Sequence, residues 1–188
     1  MSVVSDEDGQ DIRQSLLGDE EAYARIIGRY QPQIAAQMWR FSRDTAVVEE
    51  LVQEAFVEAY LSLGKFKGRA PLLHWLRKIA TRVGYRFWRK RTREQERREA
   101  LAWHGEEAMP PADTSPSEAG EYLHVLLAQL PPEDRLVLTL HYFEGCDTRE
   151  IAERVGWTRS LVKVRAFRAR KKLKALLEEA GYGREERA

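Results

Sequence analysis

The hydrophobic pattern of the chain is helical almost from end to end. Apolar residues recur three and four positions apart, and the strict alternation of apolar and polar residues that is typical of strands is nearly absent. One apolar stripe begins after Asp19, a second begins after Asp44, and a third covers Leu72 to Arg91. The pattern predicts an all-α fold in which Asp19 and Asp44 cap the first two of these helices.

The helical pattern fails between residues 94 and 119. This stretch combines a charged run with Pro, Gly, Ser and Ala, a composition typical of loops and linkers. Helical periodicity resumes near residue 120 and continues to about residue 180. We therefore predict two helical domains, residues 10–93 and residues 120–180, joined by a flexible linker over residues 94–119.

A short helix, a turn that contains glycine and a longer helix follow one another between Asp147 and Lys174. Asp147, with Glu150 three positions later, forms a capping-box pattern that starts the short helix. Gly156 supplies the tight turn, because glycine adopts positive φ without a steric cost. Two helices in this arrangement form a helix-turn-helix, whose second helix enters the major groove of DNA. We predict that this segment contacts duplex DNA.

The second of these helices has two distinct faces when it is projected at about 100° per residue. The apolar face, which we expect to be packed, comprises Val162, Ala166, Ala169, Leu173 and Leu176. The opposite face is basic, and no acidic residue occurs from Thr158 to Lys174. A basic amphipathic helix can also bind a membrane or a partner helix, but the capped helix and the turn before it favour DNA. The candidate DNA contacts are Arg159, Ser160, Lys163, Val164, Phe167, Arg168 and Lys171.

The formal net charge of +1 conceals two basic blocks. Residues 65–98 hold 13 basic and 2 acidic side chains, and residues 158–188 hold 10 basic and 4 acidic ones. The remaining stretches are acidic. Lysine and arginine scattered over solvated helix faces are the plain alternative, but segregation this uneven favours two separate contacts with a polyanion.

Aromatic residues are interleaved with the first basic block. Aromatic rings stack on unpaired bases while basic side chains hold the backbone, so this mixture is typical of a surface for single-stranded nucleic acid. The aromatic residues are Phe66, Trp75, Tyr85, Phe87 and Trp88. The helical pattern places Trp75 near Leu72, Leu76 and Ile79, which favours a core position for its ring. The candidate residues of this surface are Phe66, Lys67, Arg69, Trp75, Arg82, Arg86, Arg89 and Lys90.

Other classes of protein fit the chain less well. No apolar run approaches the roughly 18 residues of a membrane span, and the N-terminus lacks the apolar core of a signal peptide. We therefore expect a cytoplasmic protein without membrane insertion. The four histidines are scattered, and no nucleophile motif or glycine-rich phosphate loop occurs, so we expect no catalytic residue, metal or cofactor. Cys146, the single cysteine, is better explained as a small apolar filler than as a redox switch.

Four segments, in order, resemble an extracytoplasmic-function (ECF) sigma factor, the smallest class of bacterial RNA polymerase sigma factor. Three resemble the family's second region: GDEEAYARIIGRY, VEELVQEAFVEAY and FKGRAPLLHWLRKIATRVGYRFWRKRTR. The fourth, LPPEDRLVLTLHYFEGCDTREIAERVGWTRSLVKVRAFRARKKL, resembles the fourth region. They follow one another in the family's order between residues 18 and 173. The resemblance implies a subunit that directs core polymerase to promoters and promotes transcription initiation, under the control of an anti-sigma factor.

The resemblance also implies roles for matching positions. It implies that residues 66–71 capture a flipped-out base, that basic residues after Ile79 contact the minus-ten element, and that the second helix of the helix-turn-helix reads the minus-thirty-five element. It implies a further contact with the flap of the second-largest polymerase subunit. The residues that it implies for docking on the clamp helices of the largest subunit are Glu49, Glu50, Leu51, Gln53 and Glu54.

The chain departs from the family pattern at a few of these positions. Arg82 and Arg86 stand where Asn and Asp are usual, and Leu161 and Val164 stand where Thr and Ser are frequent. These changes leave the promoter sequence open. An ordinary helix-turn-helix regulator with a helical sensor domain is the alternative function. It would explain the C-terminal motif but not the aromatic-basic block, and it would bind promoter DNA without polymerase.

Overall fold

A computed structural model describes residues 4–101 and 118–181, and within these ranges the chain forms helices and turns without a strand. This confirms the all-α prediction. The helices are α1 (Asp6–Leu16), α2 (Glu20–Met38), α3 (Thr45–Ser62), α4 (Leu72–Leu101), α5 (Glu118–Ala128), α6 (Pro132–Leu138), α7 (Thr148–Val155) and α8 (Arg159–Glu179). A 3₁₀ turn, Leu63–Lys65, follows α3, and a π-helical turn, Thr139–Phe143, follows α6.

The chain divides into two compact units, residues 1–87 and residues 88–188. Helix α4 continues beyond its predicted end at Arg91 and covers the first part of the predicted linker. Residues 102–117, the remainder of that linker up to α5, lie outside the described residues. The linker and the domain limits at residues 10–93 and 120–180 therefore stay predictions.

The predicted helix starts at Asp19 and Asp44 are confirmed. The Asp19 Oδ1 atom accepts a hydrogen bond from the backbone N–H of Ala22 at 3.1 Å. The Asp44 Oδ1 atom accepts one from the backbone N–H of Ala46 at 2.9 Å. Each bond satisfies a donor that has no partner within its own helix, and so each fixes where the helix begins.

Helix α1 was not predicted, because the face that it buries is polar. Asp8, Asp11 and Ser15 are buried. The Arg29 guanidinium of α2 binds the carboxylates of Asp8 and Asp11, the latter at 2.7 Å, and Arg25 Nε donates to Asp11 at 2.9 Å. Burial by itself raises the pKa of Asp11, but the hydrogen bonds from Arg29 and Arg25 hold that pKa below its ordinary value. Charged pairs thus join α1 to α2 where an apolar stripe usually would.

Buried polar contacts fix α3 and α4 against α2 in the first unit. The Gln37 side-chain amide donates to the Thr81 hydroxyl at 2.9 Å and to the backbone carbonyl of Arg77 at 3.2 Å. The Tyr23 hydroxyl donates to the backbone carbonyl of Phe56 at 2.6 Å. The apolar side chains predicted to lie inward are buried around these contacts: Ile26, Ile34, Met38, Val48, Leu76, Ile79 and Val83. The two helices that carry the candidate site residues of this unit are thereby held in place.

In the second unit, α8 packs on α5, α6 and α7. The core cluster contains Leu127, Leu130, Leu138 and Ala169, with Leu123, Leu173 and Leu176 packed against it. Val162 and Ala169 are 1% and 0% exposed. The predicted packed face of the second helix of the helix-turn-helix is therefore confirmed, and the opposite face is left to solvent.

Candidate nucleic-acid interfaces

The helix-turn-helix begins at a capping box, as predicted. The Asp147 Oδ1 atom accepts hydrogen bonds from the backbone N–H groups of Arg149 and Glu150, at 2.7 and 2.8 Å. The Glu150 Oε2 atom accepts one from the backbone N–H of Asp147 at 2.8 Å. These backbone donors, Glu150 first, lower the pKa of the Asp147 carboxyl below its ordinary value. The short helix α7 is thus secured at its first turn.

The turn between α7 and α8 depends on Gly156. Its φ of 76° lies in the left-handed region, which side chains with a Cβ atom rarely adopt. The backbone N–H groups of Gly156 and Trp157 both donate to the carbonyl of Ala152 at 3.0 Å. Thr158 then caps α8, because its hydroxyl accepts from the backbone N–H of Leu161 at 3.2 Å. This sequence of local contacts sets the direction in which α8 leaves the turn.

The outward face of α8 is open to solvent, as the helical projection predicts. All seven candidate residues on it are exposed: Arg159, Ser160, Lys163, Val164, Phe167, Arg168 and Lys171. Phe167 is 65% exposed and Val164 is 46% exposed. Leu161, in the first turn of α8 and one of the two departures from the family pattern on this helix, is 40% exposed. The face therefore combines hydrogen-bond donors with apolar groups of the kind that contact a thymine methyl.

The loop between the 3₁₀ turn and α4 brings two of the predicted aromatic residues together. The rings of Phe66 and Trp75 lie 5.3 Å apart between centroids, with planes inclined at 52°. Both residues are half-buried, so the Trp75 ring is partly packed, as the pattern favoured, and partly open to solvent. Lys67 and Arg69 of the same loop are exposed. The arrangement places an aromatic pair beside two cations.

The basic residues of α4 differ in their surroundings. Arg82, Arg89 and Lys90 are exposed. The Arg86 guanidinium binds the carboxylates of Glu54, at 2.8 Å, and Glu58 on α3. A phosphate contact by Arg86 would have to replace these ion pairs, and its predicted contact with DNA stays a prediction.

Trp88 does not offer a stacking face. Only 3% of this residue is exposed, so its ring belongs to the core and not to the stacking platforms expected from the sequence. Phe66 and Trp75 therefore remain the best-placed aromatic pair of the first basic block.

Helix α3 presents an acidic and amide face to solvent. Glu49, Glu50, Gln53 and Glu54 are exposed, whereas Leu51 is 3% exposed and packs in the core. Leu51 can therefore support this face but offers little surface to a partner. Val57 and Leu61 continue the face at 57% and 76% exposure. The sequence reasoning missed these two residues, although their spacing from Gln53 and from each other is that of one helix face.

No metal site or membrane span is found in the part of the chain that the structure describes. Residues 4–101 and 118–181 contain no group of three His, Cys, Asp or Glu side chains placed to hold a metal ion. No helix within these ranges is long and apolar enough to cross a bilayer. Cys146 is buried, with its thiol 3.8 Å from the carbonyl oxygen of Glu144. Its position fits the expected role of a small filler.

Comparison of the chain with known proteins shows which family it is similar to. Residues 26–94 match the sigma-70 region 2 family and residues 120–173 match the sigma-70, region 4 family. The RNA polymerase sigma-H factor of Pseudomonas aeruginosa is 29% identical over 95% of this chain and 100% of its own length. The ECF sigma factor SigW of Bacillus subtilis is 27% identical over 89% of this chain and 95% of its own.

The chain belongs to the extracytoplasmic-function class of the sigma-70 family.

Solved structures of similar fold include a sigma factor bound to an anti-sigma factor. The sigma factor RpoE of Bartonella quintana, crystallised with the anti-sigma factor NepR, is 24% identical with a TM-score of 0.58. The match covers 83% of this chain and 96% of that one. CnrH, in complex with the cytosolic domain of CnrY, is 23% identical with a TM-score of 0.57, over 93% of this chain and 99% of that one. Both confirm the two-domain helical fold.

As an ECF sigma factor, the protein directs core RNA polymerase to promoters and promotes transcription initiation. The region 2 match takes in most of α2, all of α3 and α4 to Glu94, and so includes the aromatic-basic loop and the acidic face. The region 4 match takes in the helix-turn-helix. The surfaces found from exposure and charge therefore lie within the two matched regions.

Proposed function

We propose that this ECF sigma factor contacts promoter DNA at two elements and binds core polymerase through α3. The outward face of α8 carries the proposal. It is exposed from Arg159 to Lys171, it has no acidic residue, and it is fixed by a capping box and a left-handed glycine. Such a face suits the major groove of duplex DNA. In a sigma factor, the duplex that this helix binds is the minus-thirty-five element.

We assign the minus-ten element to the first basic block. The Phe66–Trp75 pair with Lys67 and Arg69 supplies ring surfaces beside cations, the combination that binds unpaired bases. The exposed α4 residues Arg82, Arg89 and Lys90 would hold the phosphate backbone. Arg86 would join them only on release from Glu54 and Glu58.

We assign core polymerase binding to the exposed face of α3, formed by Glu49, Glu50, Gln53 and Glu54 and supported from beneath by Leu51. The partner would be the clamp helices of the largest subunit, with the flap of the second-largest subunit engaging region 4. The protein would act as a non-catalytic subunit in the cytoplasm, without a cofactor. The complex of RpoE with the anti-sigma factor NepR, a structure with this fold, supports control by an anti-sigma factor.

Gln53→Ala should weaken binding to core polymerase roughly 5- to 20-fold, since it removes an exposed amide from the centre of the docking face. Titration of labelled chain with core polymerase, followed by fluorescence anisotropy, measures the change. Gln31→Ala makes the same substitution at an exposed position of α2 and should leave the affinity unchanged. Equal affinity of the Gln53→Ala variant and the parent chain would show that the docking face lies elsewhere.

Transcription tests the proposal as a whole. With core polymerase, the chain should give run-off transcripts from a small set of sequences in a random promoter library. An ordinary regulator of the helix-turn-helix type would instead bind promoter duplexes alone and give no transcript with core polymerase.

A further inference from the structure

A buried carboxylate joins two residues of α8 on the side away from the proposed DNA face. Asp134, in the first turn of α6, is 0% exposed. Its Oδ2 atom accepts a hydrogen bond from Lys172 Nζ at 2.6 Å, and its Oδ1 atom accepts one from Arg165 Nη1 at 3.3 Å. The two cations are seven residues apart on α8, so they lie two turns apart along the same side of the helix.

This cluster constrains how α8 can rotate about its axis. A carboxylate removed from water is costly unless it is paired and hydrogen-bonded. Rotation of α8 would carry Arg165 and Lys172 away together and leave Asp134 buried without a partner. At about 100° per residue, these two residues point roughly 120° away from the centre of the outward face. The ion pairs of Arg165 and Lys172 with Asp134 therefore keep the outward face of α8 turned toward solvent.

The cluster also holds two cations away from the side of α8 that would face DNA. Eight basic residues lie between Thr158 and Lys174, and Asp134 binds two of them. Each additional cation that reaches a phosphate strengthens binding to any DNA sequence equally. Arg165 and Lys172, if released, would add contacts of this kind without adding any that read bases.

We propose that Asp134 is a positioning residue that sets the specificity of region 4. It fixes the rotation of α8 and keeps Arg165 and Lys172 off the phosphate backbone, so that the remaining basic residues and Phe167 dominate the contact. The proposal rests on the proposed function, in which α8 reads the minus-thirty-five element. The LPPEDR segment alone does not reveal the role, because an acid in the first turn of a helix is also expected from the helix dipole.

Two neighbouring lysines give a test that leaves Asp134 itself in place, paired with Arg165. Lys172→Met and Lys171→Met remove the same charge from adjacent positions of α8. Binding of each full-length variant to a scrambled duplex is measured by anisotropy over a range of NaCl concentrations. Lys171→Met should reduce the slope of log affinity against log salt by about 0.9, the loss of one phosphate contact, whereas Lys172→Met should leave it unchanged. An equal loss of slope in the two variants would overturn the proposal.

Asp134→Asn tests the positioning role itself, since it removes the charge and keeps the shape. It should steepen the salt slope on the scrambled duplex by about 1 to 2. With core polymerase, transcription by this variant is also compared on an intact promoter and on one with a scrambled minus-thirty-five element. The ratio of the first level to the second should fall about fivefold or more. Glu179→Gln, an equal change of charge at an exposed position at the end of α8, should move neither quantity.

The outcomes separate this inference from the proposed function. If the parent chain depends on the minus-thirty-five element and Asp134→Asn keeps both the ratio and the slope, the inference is wrong and the proposed function stands. A parent chain indifferent to that element would overturn both. Simple unfolding would lower affinity for both DNA sequences and make the slope shallower, which is the opposite of the expected change and also counts against the proposal.

Discussion

The double variant Lys163→Ala/Arg168→Ala should lose roughly 10- to 100-fold of its minus-thirty-five-dependent transcription. Both residues are exposed on the outward face of α8, on either side of Phe167. A good bidentate contact with a base contributes about 1–3 kcal/mol, and each lost phosphate contact weakens binding further. Run-off transcription with core polymerase, on templates that differ only in the minus-thirty-five element, measures the effect.

Arg13→Ala is the matched control for this variant. It removes an exposed cation from α1, outside both proposed DNA surfaces. The control should lose less than threefold, which a general loss of positive charge explains. Equal losses in the control and in either single alanine variant, Lys163→Ala or Arg168→Ala, would mean that charge alone matters and that α8 does not read the element as proposed.

Gly84→Ala should destabilise region 2 by roughly 1–3 kcal/mol, the usual cost of overpacking a core. A Cβ atom at position 84 would lie 2.4 Å from two carbons of the Phe41 ring. Phe41 is itself only 2% exposed, so its ring has little room to move. Helix α4 would have to shift from α2, and the aromatic-basic surface would shift with it. Urea unfolding followed by circular dichroism measures the loss.

Gly28→Ala provides the opposite expectation from the same substitution. Gly28 is an exposed residue within α2, and apart from its two chain neighbours and the backbone of its own helix nothing lies within 4 Å of the position that its Cβ would take. Alanine is favoured over glycine inside a helix, so this variant should be unchanged or more stable by roughly 0.5–1 kcal/mol. If Gly84→Ala is instead as stable as Gly28→Ala, helix propensity, and not the contact with Phe41, governs position 84.

Features that depend on neighbouring residues could be predicted from the sequence. The capping box at Asp147, the turn at Gly156 and the cap at Thr158 each involve partners at most five positions apart. The two faces of α8 follow in the same way from a single helical period. Most of the fold, and the exposed face of α8 within the candidate site, could therefore be predicted from the sequence alone.

Features that depend on distant partners could not be predicted. Arg86 forms an ion pair with Glu58, which lies 28 positions away in the sequence, and Lys172 forms one with Asp134, which lies 38 positions away. A charged residue in a sequence window is expected to be solvated, and nothing local marks it as buried or paired. Helix α1 was missed for the same reason, because its buried acids are paired with arginines of α2.

The most direct test of the central claim is whether promoter recognition requires core polymerase. Purified chain and core polymerase are each assayed alone and together on the promoter selected from the library, for transcript and for protection of the minus-ten and minus-thirty-five positions. The account predicts a transcript and protection of both elements only when the two are combined. A chain that protects the promoter by itself, and that yields no transcript when core polymerase is added, would contradict it.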